Sequence, residues 1–224
     1  MNHPQTGTVT VFGQGTVRAI PDLIVVGIGV ECRASTVGLA YEQAGRRLTA
    51  ITTTLRDDEV TDTDIATGVL SVRSDIAWQD GVSRITGYIA TSALRITLSQ
   101  PGTGEPGAAP APASVIAHAV AAGGDDARLG GIQHTFANRT RLLTRARDSA
   151  WDDALDRARQ YARRAARDLG PVLEITEDTA APAPRAPQES GAVRMVAATS
   201  QSSVPVEPGE QEISAILRVT WQLG

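Results

Sequence analysis

The sequence predicts an α+β fold in which largely antiparallel sheets carry two long packed helices. Strand-like segments follow one another through short turns, and helices do not alternate regularly with strands, which is typical of this class. Two long segments repeat apolar residues at helical spacing. The segment from Ile213 to Leu223 places apolar side chains on alternate residues, which is the period of a strand with one face on a core. The chain is therefore expected to end by docking a strand into a sheet.

Two strands are predicted at the start of the chain. Thr8 to Ala19 contains several β-branched residues, and Gly13 and Gly15 within it indicate a bulge or a close backbone approach. A turn at residues 20–22 leads into a second strand from Leu23 to Arg33. Because only this short turn separates the two segments, they are expected to pair as a hairpin.

The first long helix is predicted to follow directly. Ser35 or Thr36 can cap a helix that runs to about Arg56. Residues 61–65 then indicate a turn or a short helical start. The apolar stripe of the helix consists of Ala40, Ala44, Leu48, Ile51 and Leu55.

A second hairpin occupies the middle of the chain. We expect a strand over 67–78, a turn at residues 80–81 with the sequence Asp-Gly, and a returning strand over 83–98. In the returning strand, simple alternation places Ile85, Gly87, Ile89 and Thr91 on one face.

The second half of the chain alternates helices with short strands. Ser114 is expected to cap a short helix over 115–122, and a strand over 129–137 follows. The longest helix is predicted over 141–169, with Gly170-Pro171 ending it, and intrahelical pairs such as Asp153/Arg157 and Arg164/Asp168 support it. Short strands are expected over 172–176 and, weakly, over 193–198, before the closing strand.

Composition divides the chain further. Two segments rich in Pro, Gly and Ala, 101–113 and 180–192, are expected to be linkers, and residues 1–7 are expected to be a flexible N-terminus. Residues 8–224 then form a single domain with two lobes, 8–100 and 113–224.

The charge and residue content exclude several kinds of chemistry. The net charge is -4, which argues against a nucleic-acid partner. Every basic residue is arginine, so a Schiff-base lysine and a phosphate-loop lysine are both absent. Cys32 is the only cysteine, which rules out an intrachain disulfide and makes it a small buried hydrophobe.

The sequence predicts neither a membrane span nor a secretory signal. No stretch approaches the roughly 18 apolar residues of a membrane span. The first residues carry no basic region followed by an apolar core, so no secretory signal is found and, if Met1 is the true start, a cytoplasmic location is expected.

Motifs for catalysis and cofactor binding are incomplete. Gly13-Gln14-Gly15 lacks the third glycine of a dinucleotide loop, because position 18 is arginine. Gly81-Val82-Ser83-Arg84-Ile85 fails the last position of a hydrolase elbow. The histidines His3, His118 and His134 show no metal-ligand spacing, and the carboxylates of residues 57–64 lack EF-hand spacing. We therefore predict no catalytic residues, no cofactor and no metal.

An arginine-rich surface on the longest helix is the one candidate site. Residues 139–168 contain nine arginines and five aspartates. A solvated face with intrahelical pairs accounts for most of this pattern, and the alternative is a surface for an anionic partner. The residues that would form this surface are Arg157, Arg163, Arg164 and Arg167.

Four segments together resemble the SIMPL-domain family. They are Gly13-Gln14-Gly15-Thr16-Val17 with Pro21-Asp22 and Gly29-Val30-Glu31; Asp64-Ile65, Thr67 and Leu70-Ser71 with Gly87-Tyr88-Ile89-Ala90-Thr91; the alanines 154, 158, 162 and 165; and Pro205 to Leu223. The last segment is the most specific. Together the matches cover nearly the whole chain outside the linkers, and their order along the chain supports the resemblance.

The resemblance implies a fold and a set of functional hypotheses, but no catalytic residues. Members include periplasmic and outer-membrane-associated bacterial immunogens, some of which form ring- or channel-like homo-oligomers and some of which are linked to oxidative-stress protection. The first hypothesis is therefore a non-enzymatic module that assembles with itself. The second is an adaptor that binds a partner protein through the Pro/Ala-rich segments or the arginine-rich helix. The third is an enzyme or small-molecule binder with a cleft between the lobes.

Overall fold

The structure is a computed structural model, and it describes residues 7–79, 81–100, 110–178 and 209–224. These residues form eight strands and three α-helices. The elements are β1 (Gly7–Ala19), β2 (Leu23–Ala34), α1 (Val37–Asp57), β3 (Ile65–Thr67), β4 (Ser71–Gln79), β5 (Val82–Ser99), α2 (Pro112–Gly123), β6 (Ala127–Thr135), α3 (Arg139–Arg164), β7 (Leu169–Asp178) and β8 (Gln211–Leu223). All strand pairs among them are antiparallel, and the predicted α+β class is confirmed.

The described residues group into two compact units. The three-stranded unit contains residues 7–20, 138–178 and 209–224, and the five-stranded unit contains the described residues between 21 and 137. This grouping divides the chain at other places than the predicted lobes 8–100 and 113–224, and the single-domain organisation stays a prediction. The predicted linker 180–192, the weak strand over 193–198 and most of the linker 101–113 and of the N-terminal segment lie outside the described residues.

The closing strand β8 docks into a sheet, as the alternating pattern predicted, and it is the central strand of the three-stranded unit. Its sheet has the order β1-β8-β7, and α3 packs on one face. The strand pairs with β1 along its whole length, from Gly7 opposite Leu223 to Ala19 opposite Gln211. Its buried side chains are Ile213, Ala215, Leu217, Val219 and Trp221. Burial of one alternating face against a helix therefore fixes the end of the chain.

Two glycines let α3 lie unusually close to β1. A Cβ atom on Gly13 would lie 2.0 Å from the backbone oxygen of Ala150, and one on Gly15 would lie 2.0 Å from that of Ala146. The helix presents fully buried alanines at this contact, so two backbones meet with only small side chains between them. The close approach predicted as one of two alternatives for these glycines is the one found.

The predicted hairpin between the first two strands is wrong. β1 pairs with β8, whereas β2 lies between β5 and β6 in the other sheet. The physical reason is that the two strands serve different cores. Val11 and Val17 of β1 are buried with the alanines of α3, whereas Ile24 and Val26 of β2 are buried with α1 and α2. Burial of each strand against its own helices therefore outweighs the short connection between the two strands in deciding how they pair.

The five-stranded unit packs α1 and α2 against one face of its sheet. The strand order is β3-β5-β2-β6, and β4 also pairs with β5. Thr36 is the N-cap of α1, because its hydroxyl accepts the Leu39 amide at 3.3 Å. The helix stripe predicted from the sequence buries Ala40, Ala44, Ile51 and Leu55, and Leu48 is partly buried beside them. The second hairpin, β4–β5, is confirmed by its register.

Several element boundaries differ from the expectations. The strand predicted over 67–78 is interrupted after Thr67, where the Gly68 amide turns to donate to the Ala93 carbonyl at 2.7 Å. Helix α2 begins at Pro112, two residues before the predicted cap Ser114, because proline suits the first turn of a helix. The last two positions of the predicted linker 101–113 are therefore helical.

The longest helix ends five residues earlier than predicted. Ala166 adopts a φ of 51°, and the Arg167 amide donates to the Ala162 carbonyl at 3.0 Å, which is a Schellman ending. The predicted stop at Gly170-Pro171 lies inside β7 instead, where proline is tolerated because β7 is an edge strand. Since Asp168 lies beyond the helix, the expected Arg164/Asp168 pair is not among the ion pairs of the described residues.

Candidate interaction surfaces

Arg157, the first residue of the predicted arginine surface, ties α3 to β1. Its guanidinium donates to Asp153 at 3.1 Å and to the Phe12 carbonyl at 3.1 Å. Asp153 also accepts the Gln14 amide at 2.9 Å. The Asp153/Arg157 pair expected from helical spacing is thus present, but it is part of a helix-to-strand network. This arginine has a structural task that sequence spacing did not reveal.

The remaining residues of the predicted surface lie at the carboxyl-terminal end of α3. Arg157, Arg163 and Arg164 line one polar depression along the helix, whereas Arg167 lies after the helix end and does not line it. Within the described ranges, the side chains of Arg163, Arg164 and Arg167 form no ion pair. Cations at this end are favoured by the helix dipole, which accounts for their position without a partner.

A two-stranded arm extends from the sheet of the five-stranded unit. β2 ends at Ala34, opposite Tyr88 of β5. Beyond that point β5 pairs only with β4, so residues 75–79 and 82–87 form a ribbon, called the arm below. Gly81 at its tip has a φ of 77°, as a tight hairpin turn requires. A two-stranded ribbon of this kind is marginally stable by itself in water.

One side of the arm is apolar and exposed. Ile76 lies directly opposite Ile85, and Trp78 lies two residues farther along the same side of β4. These side chains are 55%, 60% and 77% exposed, respectively. Val72, on the same side of β4, packs against the core beneath α1. The arm therefore continues the core-facing side of the sheet past the end of its helical cover.

The sequence did not reveal this surface because a bulge changes the alternation. Asp75 lies opposite Gly87, but the next residue, Ile76, lies opposite Ile85, so β5 carries one extra residue there. The expectation that Ile85, Gly87 and Ile89 share one face is therefore wrong: Ile85 is on the opposite side, beside Ile76. The signal in the sequence was the run of large apolar residues on both sides of the Asp-Gly turn.

The face of the five-stranded sheet opposite its helices carries a shallow groove. The groove has a volume of about 540 Å³. Most of its lining residues are small, including Gly27, Ala93 and Gly131 on neighbouring strands and Gly68 just after β3, and Arg95 also lines it. Among the residues the structure describes, no three His, Cys, Asp or Glu side chains are grouped so that they could hold a metal ion.

Cys32 of β2 and the pair formed by His118 and Asp58 have structural roles in the five-stranded unit. Cys32 is fully buried, and burial, followed by the nearby Asp126 charge, raises the pKa of its thiol. The ring of His118 lies 2.9 Å from the Asp58 carboxylate and joins α2 to the end of α1. The expectation that Cys32 is a small buried hydrophobe agrees with this environment.

Comparison with known proteins identifies the family. The model of the SIMPL family, a protein of unknown function (DUF541), matches residues 9–221. The chain belongs to the SIMPL family. The chain is similar to the 26 kDa periplasmic immunogenic protein of Brucella melitensis, with 24% identity over 98% of this chain and 86% of that protein. It is also similar to the uncharacterized protein YggE of Escherichia coli K12, with 27% identity over 77% of this SIMPL chain and 66% of that protein.

The comparison corrects the expected location of this SIMPL protein. A cytoplasmic location was expected from the first residues, whereas the similar Brucella protein is named a periplasmic protein, and the cytoplasmic expectation is therefore not retained. In the described ranges, no helix has the length and apolar character needed to cross a membrane.

Proposed function

We propose that this SIMPL protein is a non-catalytic interaction module that assembles with copies of itself in the periplasm through the apolar side of its arm. The observation that carries the proposal is the exposure of Ile76, Trp78 and Ile85 side by side on a ribbon that projects beyond its helical cover. Contiguous exposed apolar side chains at a projecting edge are typical of protein–protein interfaces.

Trp78 is expected to dominate the binding energy. Tryptophan is enriched among the residues whose truncation costs at least about 2 kcal/mol at an interface. The residue is 77% exposed in the single chain, so most of its apolar area is available for burial by a second copy. A loss of about 2 kcal/mol corresponds to roughly a thirtyfold increase in the dissociation constant Kd.

Sedimentation equilibrium of the full chain across a concentration series tests the proposal. The native chain is expected to associate, and Trp78→Thr is expected to raise Kd about thirtyfold. Phe12→Thr is the matched control, because Phe12 is also an aromatic residue on a strand and is 54% exposed, but it lies on β1 outside the arm. Since both side chains are exposed, neither change should lower the free energy of unfolding by more than about 1 kcal/mol.

Two results would contradict the proposal. A native chain that stays monomeric up to about 100 μM, a concentration at which even weak specific interfaces form, would exclude self-assembly as its function. Association that Trp78→Thr leaves unchanged would exclude the arm as the contact surface.

The arginine surface supports a second candidate function, binding of an anionic partner protein. Arg163 and Arg164 are exposed, neighbouring and without an ion pair in the described part of the chain. Cationic side chains held ready in this way attract acidic surfaces and raise association rates. The first candidate is preferred because the helix dipole already accounts for cations at this position, whereas nothing in the described residues accounts for an exposed Trp78.

A contribution to oxidative-stress protection stays a hypothesis from the family resemblance. Because the one thiol is buried with a raised pKa, such a contribution would come from assembly rather than from oxidation of Cys32. The enzyme hypothesis also stays a hypothesis.

A further inference from the structure

The outer edge of β4 is open for a further strand. β4 pairs with β5 along one edge, and no strand in the described residues pairs with the other. The strand has nine residues, from Ser71 to Gln79, and includes the apolar side of the arm. An open edge of this length with exposed apolar side chains is a template for strand addition by another chain.

The charges on β4 are arranged for pairing with an antiparallel copy of the same strand. Arg73 and Asp75 lie on the side of β4 opposite Ile76 and Trp78, since side chains alternate along a strand. Two copies related by a two-fold axis at Ser74 place Arg73 of each directly opposite Asp75 of the other. Two cross-strand pairs of opposite charge then form by symmetry.

The same charges disfavour the neighbouring registers. A two-fold axis at residue 73 places Arg73 opposite Arg73 of the second copy. An axis at residue 75 places Asp75 opposite Asp75. Like charges directly opposite each other destabilise a strand pair, so among these three registers only the axis at Ser74 is favourable.

The apolar side of the arm agrees with this register. With the axis at Ser74, Val72 lies opposite Ile76 of the second copy and Leu70 lies opposite Trp78. Val72 and Leu70 already pack against the core beneath α1. Each arm would therefore extend across the second copy's partly covered core, which buries the exposed apolar side of both.

The side chains that must form the new pairs are available. Asp75 contacts Arg33 only at 3.7 Å and its side chain is 37% exposed. Arg73 forms no ion pair within the ranges described. Neither group has to leave a short ion pair in order to reach a second copy.

We propose that two copies of this chain join through antiparallel pairing of their β4 edges about Ser74, with Arg73 of each opposite Asp75 of the other. This inference rests on the self-assembly proposed above and names its contact and register. The partner is a second copy rather than a different protein, because the charge pattern of β4 is complementary to itself.

Disulfide cross-linking of Ser74→Cys tests the register. Opposite Cα atoms in an antiparallel pair are about 4.5–5.5 Å apart, within the range that a disulfide bridges. Mild oxidation is therefore expected to link Ser74→Cys into a covalent dimer. Ser71→Cys is the control on the same strand, since its two copies would be six residues apart, about 20 Å, and should not link. The unsubstituted chain is the blank, because Cys32 is fully buried.

Charge exchange tests the pairing independently of thiol chemistry. Arg73→Asp makes both cross-strand pairs repulsive and is expected to raise the dimer Kd about tenfold. Adding Asp75→Arg restores opposite charges and is expected to return Kd to within about threefold of the native value. Arg84→Asp is the matched control: it makes the same charge change on β5 of the arm, away from the β4 edge, and should leave Kd nearly unchanged.

The outcomes separate this inference from the proposed function. A native chain that associates while Ser74→Cys fails to cross-link, and whose Kd is not restored by the double exchange, overturns the register and leaves self-assembly standing. A native chain that stays monomeric overturns both. Selective cross-linking at residue 74 together with restoration by the double exchange supports the pairing.

Discussion

The contact between β1 and α3 should be highly sensitive to the replacement of Gly13 by alanine. The added Cβ would lie 2.0 Å from the Ala150 backbone oxygen and 2.6 Å from the Cβ atom of Ala154. Ordinary contact begins near 3.4 Å, so the helix and the strand must separate by more than 1 Å. Neither neighbour is the flexible end of a side chain, so the strain falls on two backbones.

The expected loss of stability follows from the layer that this separation opens. The alanines of α3 at 146, 150, 154 and 158 are fully buried against Val219 and Trp221 of β8. A gap of 0.5–1 Å already forfeits about a quarter to a half of the dispersion energy of the atoms that face it. Over such a layer we expect a loss of about 3 kcal/mol or more, at the upper end of the effects of overpacking.

Urea unfolding followed by tryptophan fluorescence measures this loss. Trp151 and Trp221 report on the layer directly, because their ring centroids lie 5.9 Å apart within it. Gly45→Ala is the matched control: a Cβ there meets no atom within 4 Å, and alanine in a helix should raise the free energy of unfolding by about 0.5–1 kcal/mol. A Gly13→Ala protein that loses less than about 1 kcal/mol would refute the close-packing argument.

Two further predictions concern the end of α3. Ala166→Gly should raise the free energy of unfolding by about 1 kcal/mol, because glycine adopts the φ of 51° found there without the strain of a Cβ. Equilibrium denaturation measures the change, and a loss of stability would argue against a left-handed helix ending. Arg163→Glu with Arg164→Glu should lower the free energy of unfolding by about 1–2 kcal/mol, because two anions replace cations at the carboxyl-terminal end of the helix dipole. If these residues bind anionic partners, the same change should abolish salt-dependent binding of the folded protein to an acidic polypeptide such as polyglutamate; absence of such binding by the native chain would remove that candidate.

The sequence predicts best the elements whose burial is local and periodic. The closing strand β8 and the stripe of α1 were both predicted because every second residue, or every third and fourth, is apolar. The pairing of β1 was not, since the local turn at residues 20–22 suggests a hairpin while the true partner is some 200 residues away. Only the shared burial against α3 selects it, and no local pattern states which core a strand serves.

The end of α3 shows a second reason for failure. Helix-ending rules look for glycine, and they find it at Gly170. The structure instead places Ala166 in the left-handed conformation, which a non-glycine residue adopts only when the surrounding contacts compensate the strain. The compensation is the pairing of β7 with β8, because a helix continued to Leu169 would remove the start of that strand. A tertiary contact thus overrides the strongest local signal.

The candidate interaction surface illustrates the same limit for function. Arginines are conspicuous in the sequence, so the predicted surface was the helix that carries them, yet Arg157 proves to be committed to Asp153 and Phe12. The arm is inconspicuous in the sequence, because simple alternation places Ile85 and Ile76 on different faces. An extra residue in β5 instead brings Ile85 to the same side as Ile76. Bulges that redirect side chains at a sheet edge are a recognised means of shaping contact surfaces. The bulge that accommodates the extra residue is therefore what brings Ile85 beside Ile76. Deletion of Thr86 would be expected to remove the bulge and still leave Ile85 opposite Ile76, because Ile85 would then directly precede Gly87 in a regular ladder.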